Sequence, residues 1–138
     1  MVIRFARSDE YPDVLAHYKI CNYGGGVDDA NKVVIAFDAE IIGAVRICFE
    51  YGTKVLRGMQ IKPGWQRKGT GSQMLQFLAG HLDMNDCYCL PYQHLRSFYA
   101  SIGFKEISPL DAPVFLAERR EKYLSSVNNQ VIIMAIRK

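Results

Sequence analysis

Gln66-Arg67-Lys68-Gly69-Thr70-Gly71 is a basic, glycine-rich hexapeptide between a strand-like segment ending at Ile61 and an amphipathic helical segment beginning near Ser72. Its two glycines let the backbone approach a ligand without a Cβ in the way. The first turn of the following helix leaves backbone N–H groups unpaired and carries partial positive charge. The position of the hexapeptide therefore predicts a pyrophosphate site.

Two other phosphate-binding loops fit this stretch less well. Gly64 to Thr70 comes close to the loop of nucleoside triphosphatases, but Thr70 follows Gly69 directly, where that loop requires a lysine. The dinucleotide fingerprint requires a third glycine, and Met74 stands at that position. Triphosphate and nicotinamide binding are therefore both disfavoured.

The chain before the hexapeptide is predicted to form a strand, a helix and three further strands. Residues 2 to 6 alternate between apolar and polar side chains, as a half-buried strand does. Ser8 or Asp9 is expected to cap a helix whose apolar face consists of Tyr11, Val14, Leu15 and Tyr18. The segments rich in strand-forming residues are Val33 to Phe37, Ile41 to Phe49 and Val55 to Ile61. Gly58, within the last of them, permits a bulge or a close backbone approach.

The chain after the hexapeptide alternates helices with short strands. The helix that follows it has an apolar side made of Gly71, Met74, Leu75, Phe77, Leu78 and Leu82. The next predicted elements are a strand at Cys87 to Leu90, a helix over Leu95 to Ile102, a strand at Phe104 to Ile107, a helix from Asp111 and Pro113 to about Leu124, and a closing strand at Val131 to Ile136. This order predicts an α/β fold in which helices cover both faces of a mixed sheet.

Composition narrows the class of protein. A chain of 138 residues with 49% hydrophobic residues fits one soluble domain, residues 1–138, and no apolar run approaches the roughly 20 residues of a membrane helix. A net charge of +3 is too small to indicate nucleic-acid binding. The N-terminus lacks a signal-peptide pattern, so we expect a cytoplasmic protein.

The cysteines do not predict a disulfide framework or a metal site. The four cysteines, at positions 21, 48, 87 and 89, have no spacing typical of a secreted protein, so we expect reduced thiols. Cys87 and Cys89 share a strand face but supply at most two of four zinc ligands. They are interpreted as small buried residues, and no metal site is predicted.

Two ordered segments resemble one family. The stretch from Leu56 to Pro63, followed by Gln66 to Gly71 and then Met74-Leu75, resembles the acetyl-coenzyme A binding segment of GNAT acyltransferases. Leu95 to Phe104 is similar to the helix and strand of that family that end in Phe-Tyr-x-x-x-Gly-Phe. The resemblance implies the acyl-CoA N-acyltransferase fold, whose mixed β-sheet is splayed at its centre and flanked by helices.

The resemblance also implies a reaction and a cosubstrate. Members of the family transfer an acyl group, usually acetyl, directly from acetyl-CoA to an amine of a small molecule or a protein within a ternary complex. Backbone N–H groups from about Arg67 to Ser72 would hold the pyrophosphate, and the backbone at Met59 and Ile61 would pair with the pantetheine arm. The expected cofactor-binding residues are Met59, Gln60, Ile61, Gln66, Arg67, Lys68, Gly69, Thr70, Gly71 and Ser72.

Catalytic residues are predicted from the same resemblance. Tyr99 matches the family tyrosine that protonates the leaving thiolate, although its spacing also fits a core residue. Many relatives carry a glutamate base on the central strands, where this chain has Arg57 and Gln60. Glu50 is therefore a tentative base, with a solvated charge at a strand end, or deprotonation through water, as the alternative readings.

Some departures leave a second function open. Tyr92 stands where many relatives place an asparagine that touches the pantetheine arm. Together with the missing strand glutamate, this departure fits a non-catalytic module that binds or senses acyl-CoA. The acceptor pocket is expected to be shaped by the first helix, Gly24 to Asn31 and Pro109 to Leu124, whose mixed residues do not identify an amine. His17 is interpreted as a surface or helix-end residue, and a homodimer is compatible with the sequence.

Overall fold

The computed structural model describes residues 1–126 and 130–137, which belong to two compact units, Met1–Asp83 and Met84–Lys138. The first unit contains β1 (Val2–Phe5), α1 (Tyr11–Ile20), β2 (Lys32–Asp38), β3 (Glu40–Glu50), β4 (Thr53–Ile61) and α2 (Thr70–His81). The second contains β5 (Cys87–Cys89), α3 (Arg96–Ala100), β6 (Lys105–Ile107), α4 (Val114–Ser126) and β7 (Ile133–Ile136). That residues 1–138 form one domain stays a prediction.

The four strands of the first unit form an antiparallel sheet in the order β1-β2-β3-β4. Along β3 and β4, Ala44 pairs with Gln60 but Arg46 pairs with Arg57, so β4 carries one extra residue between these pairs. Gly58 lies in this bulge with φ +70°. Of the two features predicted for Gly58, a bulge or a close backbone approach, the bulge is therefore confirmed.

The two helices of the first unit cover opposite faces of its sheet. Val14 and Tyr18 of α1 pack in one cluster with Val33, Ile35 and Ala44. The residue before Ala44 is Gly43, and a Cβ there would lie 2.9 Å from the sulfur of Met74 in α2. Because successive strand residues point to opposite faces, α1 and α2 lie on different sides, as the sequence predicted.

The start of α1 differs from the prediction. Ser8–Glu10 form a 3-10 turn and Glu10 occupies the N-cap position of α1, so the prediction that Ser8 or Asp9 caps the helix was wrong. The Glu10 carboxylate accepts hydrogen bonds from Arg4 at 2.7 and 2.9 Å and from the backbone N–H of Arg7 at 2.9 Å. The bonds from Arg4, then that from Arg7, lower the pKa of Glu10 to about 2.

The apolar face of α1 also differs in one residue. Val14 and Tyr18 are buried as predicted, but Leu15 is 38% exposed. His17 is buried, at 2% exposure, in the last turn of the helix. The helix-end alternative of its interpretation is therefore confirmed, and the surface alternative was wrong because α1 turns this side chain towards β4, where it contacts a backbone carbonyl.

The second unit is built around its last strand. β7 pairs antiparallel with both β5 and β6, which explains its uniformly apolar sequence. Cys87 and Cys89 are both buried, as predicted for residues on one strand face. α3 is shorter than the predicted helix and follows a 3-10 turn at Gln93–Leu95. Over residues 1–126 and 130–137, no helix has the length and hydropathy needed to span a membrane.

Candidate active site

The glycine-rich hexapeptide makes a sharp turn into α2. Arg67 and Gly69 both have left-handed backbone conformations, with φ +63° and +82°. α2 begins at Thr70, slightly earlier than the predicted start near Ser72, so Gly69 is its N-cap. Glycine has no side chain with which to cap the helix. The first N–H groups of α2 are therefore left for solvent or a ligand.

The same turn is exposed and positively charged. Gln66, Arg67, Lys68, Gly69 and Ser72 are exposed, and the first turn of α2 contains no acidic residue. The Lys68 ammonium lies 5.6 Å from the ring centroid of Trp65, within cation–π distance. The backbone N–H of Trp65 donates to the Lys62 carbonyl at 2.9 Å and closes the preceding turn. The first turn of α2 therefore presents exposed polar groups and no carboxylate to an approaching anion.

At the end of β4, some backbone N–H and C=O groups point away from its neighbour β3. The N–H of Lys62 donates to the Ile42 carbonyl at 2.8 Å, so the preceding pair, Gly43 and Ile61, is a non-hydrogen-bonded pair. The backbone groups of Ile61 consequently point away from β3. The Ile61 carbonyl accepts a hydrogen bond from the Gln66 side chain at 3.1 Å. Gln66 thus ties the hexapeptide to the strand that precedes it.

His17 is a buried contact to this strand that the sequence prediction missed. Its Nε2 lies 2.9 Å from the Gln60 carbonyl, while its buried Nδ1 has no hydrogen-bond partner within residues 1–126 and 130–137. Burial lowers the pKa of His17 below its ordinary value, so the neutral imidazole is favoured, with Nε2 as the donor. The available signal was its spacing of three residues from Val14 on the same helix face.

Arg46 is a second residue that the sequence prediction missed. It lies in the middle of β3 and is 3% exposed. Its Nη1 donates to the Tyr18 hydroxyl at 3.3 Å, and that hydroxyl donates to the Gly58 carbonyl at 2.9 Å. The rings of Tyr18 and Tyr23 each lie 5.5 Å from Arg46 Cζ. Burial, partly opposed by Arg46, raises the pKa of Tyr18 to about 12. A charge in the centre of an apolar strand was the signal available in the sequence.

The two predicted catalytic residues lie in different units. Glu50, at the end of β3, forms an ion pair with Arg57 at 3.3 Å, and its side chain is 18% exposed. It is therefore not a simple solvated strand end. Tyr99 in α3 is 8% exposed, and its ring makes edge contacts with Phe98 and Phe104 at centroid distances of 4.9 and 6.1 Å. Its ring thus belongs to the core of the second unit. This position of the ring does not decide whether the hydroxyl acts as a general acid.

The described residues contain no group of three or more histidine, cysteine, aspartate or glutamate side chains that could hold a metal ion. Cys48, Cys87 and Cys89 are buried free thiols, and burial raises the pKa of Cys48 and Cys89. Neutral buried thiols are poor nucleophiles.

Solved structures share this fold across nearly the whole chain. An aminoglycoside 6'-N-acetyltransferase complexed with coenzyme A is 13% identical with a TM-score of 0.67, covering 98% of this chain and 96% of that one. The ribosomal-protein-S18-alanine N-acetyltransferase from Escherichia coli is 14% identical with a TM-score of 0.69, covering 98% and 92%. A GNAT family acetyltransferase from Bacillus cereus is 15% identical with a TM-score of 0.67, covering 99% and 96%.

These likenesses confirm the predicted mixed α/β fold of the acyl-CoA N-acyltransferases. No curated protein matches the sequence. The family model described as an acetyltransferase (GNAT) domain matches residues 28–106, which is more than half of the chain and includes β2 to β4, the glycine-rich turn, α2 and Tyr99. The chain therefore belongs to the GNAT acetyltransferase family.

Proposed function

We propose that this protein transfers an acetyl group from acetyl-CoA to the amine of a small molecule or a protein. The observation that carries the proposal is the exposed, uncapped N-terminus of α2, which follows a basic turn inside the segment matched by the family model. Such an end binds anions through backbone N–H groups and the helix dipole. One relative of the same fold was crystallised with coenzyme A.

The pyrophosphate of coenzyme A would contact backbone N–H groups from Arg67 to Ser72. Arg67 and Lys68 are exposed beside this turn and would add charge-assisted contacts to the phosphates. Backbone groups of Met59, Gln60 and Ile61 would lie along the pantetheine arm, with those of Ile61 already directed away from β3. Gln66 and Thr70 support this arrangement from within the turn, one on Ile61 and the other buried at the start of α2.

A titration of acetyl-CoA by calorimetry tests the cosubstrate. Gly71→Glu places a carboxylate in the first turn of α2, where it repels phosphate, so binding should weaken by at least tenfold. Gln76→Glu introduces the same charge at an exposed position further along the same helix and is the matched control. Equal affinity in the two variants would contradict a pyrophosphate site at this turn.

Tyr99 is proposed as the general acid that protonates the leaving thiolate of coenzyme A. Tyr99→Phe should keep acetyl-CoA affinity but lower acceptor-dependent release of the thiol by tenfold or more, which is about 1.4 kcal/mol. The phenylalanine ring preserves the contacts with Phe98 and Phe104. Unchanged turnover would show that Tyr99 serves the core alone.

Glu50 is proposed as the general base, whose carboxylate takes a proton from the ammonium group of the acceptor. Transfer of that proton to water is the alternative. Glu50→Gln should shift the rising limb of the pH profile of kcat/KM if Glu50 takes the proton. An unchanged profile would favour water. If the unaltered protein and the variants all bind acetyl-CoA but none shows turnover, the non-catalytic module would be favoured. That alternative is suggested by Arg57, which stands on β4 where many relatives carry a glutamate.

A further inference from the structure

Arg46 carries a buried positive charge, and no carboxylate of the first unit, Met1–Asp83, forms an ion pair with it. The side chain is 3% exposed, and its buried Nε has no hydrogen-bond partner among the residues that the structure describes. Within residues 1–126 and 130–137, the ion pairs at up to 4.0 Å do not include one with Arg46. Burying a charge in this way is costly unless something else pairs with it.

The aromatic rings account for only part of the environment of Arg46. Rings at 5.5 Å from Tyr18 and Tyr23 stabilise a cation through their π faces. The Tyr18 hydroxyl accepts from Nη1 and donates its own proton to Gly58, so its position is fixed. The Nε–H remains without an acceptor. The Tyr23 and Cys48 side chains also hydrogen-bond Arg46, so the buried Nε–H is a guanidinium donor that the described residues leave unsatisfied.

A second guanidinium lies on the same face of the sheet. Arg57 is directly opposite Arg46 in the register of β3 and β4, and directly opposed residues point to the same side. Like charges in such a pair destabilise a sheet. Glu50 pairs with Arg57 at 3.3 Å and balances one of the two charges. The group formed by Arg46, Arg57 and Glu50 thus keeps one net positive charge.

We infer that Arg46, assisted by Arg57, binds the carboxylate of an acceptor that also carries the reactive amine. A planar carboxylate matches the fork formed by Nε–H and an Nη–H of a guanidinium, and its single charge matches the net charge of this group. The substrate class is therefore amino acids or compounds that end in an amino acid. This inference rests on the proposed acetyl transfer.

The proposed carboxylate site lies beside the part of β4 that is proposed to line the pantetheine arm. Gly58, whose carbonyl holds Tyr18, is adjacent in β4 to Met59, the first residue proposed to lie along the pantetheine arm. Tyr18 belongs to α1, one of the segments expected to shape the acceptor pocket.

Matched pairs of acceptors test the inference. Glycine, alanine, leucine, lysine and glutamate are each compared with their α-amides in acetyl-CoA-dependent thiol release. At least one acid should exceed its amide by tenfold or more in kcat/KM with the unaltered protein. Arg46→Gln should abolish that preference while leaving acetyl-CoA affinity unchanged. Equal use of acids and amides, or a preference that survives Arg46→Gln, would overturn the inference.

A second measurement separates this inference from the proposed function. Binding of the N-acetylated forms of the same acids and amides is followed by ligand-observed NMR, which requires no turnover. A preference for the acids that is lost in Arg46→Gln supports the carboxylate site even if acetyl-CoA does not bind. Acetyl transfer without any such preference would overturn the site and leave the proposed function standing.

Stability distinguishes a ligand-binding arginine from a structural one. Because no described residue forms an ion pair with its buried charge, Arg46→Met should leave the Tm unchanged or raise it, while removing the preference for acids. Arg7→Met, at an exposed arginine, is the control and should keep the preference. A clear fall in the Tm of Arg46→Met, with acid preference retained in Arg46→Gln, would assign Arg46 to the core.

Discussion

Gly58 is the single residue on which the arrangement around Arg46 depends most directly. Its φ of +70° is strained for alanine and for most other residues with a side chain, and a Cβ there would overlap Arg46 Nη1 and lie 2.5 Å from the Tyr18 hydroxyl. Gly58→Ala should therefore lower the free energy of unfolding by about 2–4 kcal/mol, combining backbone strain with overpacking. Urea unfolding measures this loss.

Gly24 provides the control for that substitution. A Cβ at Gly24 would meet nothing within 4 Å, and its φ is outside the left-handed region. Gly24→Ala should change the stability by no more than about 0.5–1 kcal/mol. Equal losses in the two variants would mean that the contacts of Gly58 with Tyr18 and Arg46 are not tight.

At the scale of elements, the junction between the glycine-rich turn and α2 is defined by its backbone. Gly69 has φ +82°, and nothing lies within 4 Å of a Cβ built on it. Gly69→Ala should thus cost only the left-handed conformation, about 1–2 kcal/mol, and Gly69→Asn should cost less because asparagine tolerates that conformation. Thermal unfolding of the two variants checks the order.

The same pair of variants tests how the turn binds its ligand. Neither substitution adds a charge, so any loss of acetyl-CoA affinity reports a change in the path of the backbone N–H groups. We expect Gly69→Asn to retain more affinity than Gly69→Ala, in parallel with stability. The opposite order would indicate that space at Gly69, rather than its backbone conformation, is what the ligand requires.

At the scale of the whole molecule, two buried groups predict how stability depends on pH. The pKa of His17 is lowered by burial, so the unfolded chain takes up a proton from about pH 6.5 downwards before the folded protein does. The pKa of Glu10 is lowered to about 2 by its hydrogen bonds with Arg4 and Arg7, so the unfolded chain again binds more protons below about pH 4.5. Stability should therefore fall as the pH falls through each of these ranges.

The free energy of unfolding can change by at most about 1.4 kcal/mol per pH unit for each of these two groups, His17 and Glu10. His17→Gln should reduce the slope between pH 6.5 and 5, because it removes the buried imidazole. Glu10→Gln should reduce the slope below pH 4.5. Chemical unfolding measured at several pH values checks these outcomes, and an unchanged slope in His17→Gln would contradict the role given to its burial.

The sequence by itself determined the elements, the glycine-rich turn and the family, because each depends on residues close together in the chain. Strand alternation, the helical spacing of Met74, Leu75 and Leu78, and the glycines near the start of α2 are local patterns that local backbone preferences enforce. The bulge at Gly58 was predictable for the same reason. The roles of Tyr99 and Glu50 remain predictions.

Only the tertiary structure decided which polar side chains are buried and which residues they contact. His17 meets Gln60 across 43 residues, Tyr18 meets Gly58 across 40, and Arg46 meets Tyr18 across 28. No spacing along the chain specifies such contacts, because they arise when α1 packs on the sheet. The same packing buries the Arg46 guanidinium away from water. A buried charge is energetically costly unless another group pairs with it.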